Sequence, residues 1–166
     1  MIFLMARLSG TVRQTVIQGD SVQGGVQAQA SLTTSLTGTN NDLVYTAKST
    51  ENSAYLGANG NAIRVVYVVS GTSTPLSVSV SGTDITVNVA TNGGGAATST
   101  AAQISAAVLA HATAKTLVDV SNAAGNDGTG VVTAMSITAL SGGTSYVTGR
   151  GSGAVRRTGP YGLRNN

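Results

Sequence analysis

The sequence predicts an α+β fold that is mainly β: a small sheet or sandwich with one amphipathic helix packed on it, flanked by extended N- and C-terminal arms. Three observations lead there. Segments rich in Val, Thr and Ser alternate apolar and polar residues with period two, one internal stretch switches to the helical period, and the ends lack both patterns, the C-terminal one being rich in glycine and poor in apolar residues. At 166 residues the chain has room for one domain of ordinary size. Its expected division is an N-terminal arm over 1–40, a compact domain over 41–143 and a basic, glycine-rich C-terminal arm over 144–166.

Within the domain, NDLVYTAKS (41–49) and AIRVVYVVS (62–70) are strand candidates, the second bounded by Gly60, Asn61 and Gly71. A glycine and asparagine loop separates them. The clearest pattern follows: Leu76, Val78 and Val80 alternate with serines, a turn spans Ser81 to Asp84, and Ile85, Val87 and Val89 resume the alternation. This is a β-hairpin with one buried face. Beyond Gly93 to Gly95 the period becomes 3.6. Thr98, Ser99 or Thr100 can cap a helix whose stripe is Ile104, Val108 and His111, with Ala101 and Ala112 beside it. NAAGNDGTG then forms a turn-rich loop, and Val131, Met135, Ile137 and Leu140 predict a final strand or two, by a parallel or crossover return.

The N-terminal arm has Gly10, Gly19, Gly24, Gly25 and Gly38 at short intervals and no helical period. Thr11, Val12, Gln14, Val16 and Gln18, and later Val22 and Val26, form short β-prone runs that can add to a partner's sheet edge, the bland alternative being a polar leader. The apolar start MIFLM is too short for an export signal or a membrane span, and Met5 offers a second start.

Composition narrows the function. Charged residues are 9% and aromatics 4%, with no Trp and one Phe, so Val, Ile, Leu and Ala must fill the core. A core of that kind favours association with other chains. Formal charge is +1 over 1–40, −2 over 41–143 and +4 over 144–166, so the basic character belongs to the C-terminal arm.

The search for chemistry gives no catalytic, cofactor or metal residues. There is a single histidine, His111, on an apolar stripe, and no cysteine for a disulfide or thiolate site. Asn122, Asn126, Asp127, Gly128 and Thr129 offer oxygen ligands but lack the spaced carboxylates of a Ca²⁺ loop, and read better as a tight turn. GRGSG at 149–153 lacks the strand, the Lys-Ser/Thr pair and the helix of a phosphate loop. Arg150, Arg156, Arg157 and Arg164 suit an acidic protein surface. With only Tyr146 and Tyr161 nearby there is little stacking platform for nucleic acid.

From Asn41 to Gly143, the ordered pieces NDLVYTAKS, GNAIRVVYV, LSVSVSGTDITVNVAT, TSTAAQISAAVLAH and NAAGNDGTGVVTAMSITALSGG resemble a module that recurs in bacteriophage and prophage virion proteins. ENSAYLG stands where a short glycine-rich turn is expected, and both arms lie outside the resemblance. The resemblance implies a virion structural protein rather than an enzyme, made in the bacterial host cytoplasm and carried in the phage particle.

Combined with the two arms, it leads to the expectation of a capsid decoration or cement protein. Its partners would be the major capsid protein and copies of itself, with tail or connector proteins as further candidates, no membrane, and nucleic acid disfavoured. Arg7, Arg13, Val16, Arg150, Arg156, Arg157, Tyr161 and Arg164 are the expected partner-binding residues. A tail or head-to-tail connector component is the first alternative. A glycan-binding, adhesin-like module that exposes Tyr45, Tyr55 or Tyr67 is the second.

Overall fold

The computed structural model describes residues 27–48 and 54–145. It is α+β and mainly β, with seven strands in two sheets. β1 (Ser31–Thr33), β2 (Leu43–Ala47) and β6 (Val118–Asn122) form an antiparallel sheet in the order β1-β2-β6. The second sheet holds β3 (Arg64–Val68), β4 (Ser77–Ser81), β5 (Asp84–Asn88) and β7 (Met135–Ala139), in the order β4-β5-β3-β7.

The hairpin of β4 and β5 follows directly from its sequence. Five residue pairs run in unbroken register from Ser77 opposite Asn88 to Ser81 opposite Asp84. The two-residue loop between them opens on Gly82 at φ +61°, the backbone that a primed turn requires of its first central residue. β5 then lies parallel to β3, which sets Arg64 opposite Asp84 in the register. The guanidinium bonds both carboxylate oxygens, at 2.6 and 2.5 Å, an exposed pair that fixes geometry more than it stabilises.

Helix α1 (Ala101–Ala110) begins at Thr100 with a reciprocal cap: the Thr100 hydroxyl accepts from the Gln103 amide, and Gln103 Oε1 accepts from the Thr100 amide. Its next free amides, of Ala101 and Ala102, donate to the carbonyls of Gly130 and Gly128. The expected stripe is buried at Ala101, Ile104 and Val108. It stops there, because His111 lies beyond the last turn, where its Nδ1 accepts from the Ala114 amide and starts a second short helix, α2 (Ala114–Leu117). The helix returns the chain to β6, antiparallel to β2 in the other sheet; the parallel pair of the fold arises instead between β3 and β5.

A single core serves both sheets. β2 buries Leu43, Tyr45 and Ala47, β3 buries Val65 and Tyr67, and β5 buries Ile85 and Val87. At its centre the two tyrosine hydroxyls meet at 2.7 Å, with ring centroids 6.4 Å apart and planes at 60°. Each hydroxyl finds its partner in the other sheet, which removes the cost of burying either alone. α1 packs against β6 and reaches β4, spanning the margin between the two sheets.

Three differences from expectation have plain causes. Residues 30–40, assigned to the N-terminal arm by composition, are part of the domain: Ala30 is buried, β1 pairs with β2, and Asp42 Oδ1 accepts from the Thr34 hydroxyl and the Leu36 amide. β6 was not expected between the helix and the turn-rich loop, since its only strand signal is Val118 and Val120 alternating with Asp119 and Ser121. The last strand is confined to Met135–Ala139 at a sheet edge, with Ile137 exposed, while the flanking Val132 and Leu140 are the residues that reach the core.

Candidate interaction site: the root of the terminal segments

The two ends of the domain meet. The Thr144 amide donates to the Ala28 carbonyl at 3.0 Å, and the Ala28 amide donates to the Thr144 hydroxyl at 3.2 Å. Three residues inward, Ser31 and Ser141 exchange both backbone bonds, at 2.8 and 2.9 Å. The segments before residue 28 and after residue 144 therefore start side by side.

The loop between β2 and β3 holds this junction. It ends in a 3-10 helix, Gly57–Ala62, that carries Asn61. The Asn61 side chain imitates a strand neighbour of Gly143: its Oδ1 accepts from the Gly143 amide at 2.9 Å, and its Nδ2 donates to the Gly143 carbonyl at 3.1 Å. One turn back, the Ala58 amide donates to the Ser145 hydroxyl at 3.3 Å.

Glycines make the approach possible. Gly57 has φ +65°, and a Cβ there would sit 2.8 Å from the Thr144 carbonyl oxygen. A Cβ on Gly143 would overlap the Gly57 carbonyl oxygen. The residues of the root carry no charge, so it is a mechanical fixture assembled from backbone, amide and hydroxyl groups.

A second surface feature lies at the other sheet's margin. An open cleft of about 550 Å³ is lined by Leu76, Ala90, Thr98, Ser99, Gln103 and Ala106. Ser99 Oγ accepts from the Ala90 amide and Gln103 belongs to the helix cap, so these polar groups already have structural partners.

The residues expected to bind partners, Arg7, Arg13, Val16, Arg150, Arg156, Arg157, Tyr161 and Arg164, all lie outside the described residues. Tyr45 and Tyr67 are buried in the core and expose no ring to a sugar, which removes two of the three aromatics behind the glycan-binding alternative. The Asn and Asp loop is a turn: Asp127 Oδ1 accepts from the Thr129 hydroxyl and amide, bonds that lower its pKa, while Asn126 Oδ1 accepts from the Asp42 amide. Among the described residues no three His, Cys, Asp or Glu side chains gather in a way that could hold a metal ion, and no helix is long and apolar enough to cross a membrane.

The root residues Gly57, Asn61 and Gly143 escaped the sequence reading. GANGN marks a tight loop, but nothing in one sequence pairs position 61 with position 143. Comparison with family models, with curated proteins and with solved structures found no match to this chain.

Proposed function

We propose that this chain is a structural component of a bacteriophage virion, a capsid decoration or cement protein that is strapped to the major capsid protein lattice by its terminal segments. The observation that carries this reading is the root. Ala28 and Thr144 are bonded to each other, so two segments, 27 and 22 residues long, depart together from one fixed point. A domain built this way is suited to gripping neighbours on either side of a single anchor. The resemblance of residues 41–143 to a recurrent virion module supports the same reading.

Charge supports a division of labour. The described residues hold three basic and four acidic side chains, whereas Arg150, Arg156, Arg157 and Arg164 follow the root without a single acid. Acidic patches on the capsid surface are the partner those arginines fit. Each exposed contact contributes little, so many copies and several contacts per copy provide the holding strength.

The test is to titrate bare heads of the cognate phage with the purified full chain and with a chain truncated after Ser145, which keeps the root intact. The full chain should saturate at a multiple set by the capsid lattice. At roughly 0.5 kcal/mol per arginine, losing four weakens binding by about 2 kcal/mol, roughly thirtyfold. Absence of head binding, with rings or tubes formed by the protein alone, would overturn this reading in favour of a tail or connector component.

A further inference from the structure

β4 is the outer strand of its sheet, and its outer edge carries no partner strand among the described residues. The hairpin closes on the Ser81–Asp84 pair, so Ser77, Ser79 and Ser81 direct their amides and carbonyls at β5. Val78 and Val80 consequently present theirs outward. Their side chains lie opposite Val87 and Ile85, both fully buried, yet remain only half-buried themselves. Leu76 extends this row into the cleft, where Gln103 and Ala106 of α1 form the opposite wall.

Soluble proteins guard such edges with lysine, proline or a bulge. β4 has none of these within Ser77–Ser81, its register with β5 is unbroken, and neither β4 nor α1 contains a charged residue. The opposite edge differs, since β7 is bulged against β3 between Val65 and Tyr67. An unguarded edge beside a helix-walled cleft is the geometry in which an extended segment adds a strand and drops alternate side chains into the groove.

We infer that the β4 edge and its cleft accept residues Thr11–Gln18 of a second copy of this chain as an added strand. The inference rests on the proposed role of the terminal segments and names a partner for the N-terminal one. TVRQTVIQ is the segment that fits: five of its eight residues are β-branched, it has one charge, and in extended form Val12 and Val16 fall on one side. Length suffices. The eight residues between Gln18 and the described domain reach about 26 Å when extended, nearly twice the roughly 14 Å radius of gyration expected of the domain. Laid on its own β4, the segment would cover the edge but join nothing; laid on a neighbour's, it links copies.

The chain contains no cysteine, which makes disulfide trapping clean. Full-length protein with Ser79→Cys, isotopically heavy, is mixed with light full-length protein carrying a single cysteine at each position from 11 to 18 in turn. Heavy–light disulfides are counted by mass, free in solution and on phage heads. The expected yield alternates with period two along 11–18, and its maximum exceeds by about tenfold that obtained with Ser136→Cys in β7 as acceptor. Val80→Lys, which places a charge on the edge, should lower that maximum at least tenfold.

Uniformly low yields without alternation in both settings would overturn the inference. So would equal capture at Ser136, or bridges found only within one polypeptide when both cysteines share it. Head binding without alternation would remove the strand acceptor and leave the proposed function standing; alternation without head binding would do the reverse.

Discussion

The core and the root of this domain are held by opposite means. Around Tyr45 and Tyr67, stability comes from apolar area removed from water, with one hydroxyl pair at the centre. At the root the chain is held by amides, carbonyls and glycines at distances no side chain would permit. An apolar core resists change in proportion to volume, whereas a lock of directional bonds opens when one group is lost. The domain is thus built to stay folded while its junction is positioned by a few discrete bonds.

The core should give the largest response. Ile104 is fully buried beneath α1, and Ile104→Ala should cost about 2–5 kcal/mol in urea unfolding, without moving the terminal segments relative to each other. A loss below 1 kcal/mol would mean that the helix is not part of the cooperative core.

Alkaline pH tests its centre. Burial, the leading cause, raises the pKa of both Tyr45 and Tyr67 well above the ordinary phenol value. Up to about pH 9 both folded and unfolded states keep these protons, and the contribution to stability is intact. Above that the unfolded chain releases them first, so stability should fall by up to about 1.4 kcal/mol per pH unit for each tyrosine. The double variant Tyr45→Phe with Tyr67→Phe should flatten that slope in unfolding curves taken between pH 9 and 11.

The root should give the smallest global effect and the most local one. Asn61→Ala removes two hydrogen bonds at roughly 1 kcal/mol each, about 1–2 kcal/mol together. Its sharper readout is hydrogen exchange: the Gly143 amide should lose protection while the Val87 amide, inside the second sheet, keeps its own. Equal acceleration at both positions would join core and root into one cooperative unit and dissolve the distinction drawn here.

What could be read from the sequence follows the same division. Hairpin β4–β5 and the start of α1 were legible because their periods extend over enough residues and are bounded by a turn at Ser81 to Asp84 and by three adjacent cap candidates, Thr98 to Thr100, of which the structure uses Thr100. β1 was not, since three residues with one leucine make no pattern; its place is set by pairing with β2 and by the Ser31–Ser141 bonds, more than a hundred positions apart. β6 was hidden by Leu117, which ends α2, standing next to Val118, which begins the strand. The root was illegible for a deeper reason. Its glycines matter through what they nearly touch, and those neighbours are remote in the chain.

The adjacency of Ala28 and Thr144 carries a topological consequence. A fold whose entrance and exit are hydrogen-bonded to each other can be spliced between two neighbouring residues of another protein without prising that host apart, or recut with its old ends joined by a short linker and new ones opened at Gly82–Thr83. Such a unit travels as a cassette, entered and left through a single doorway.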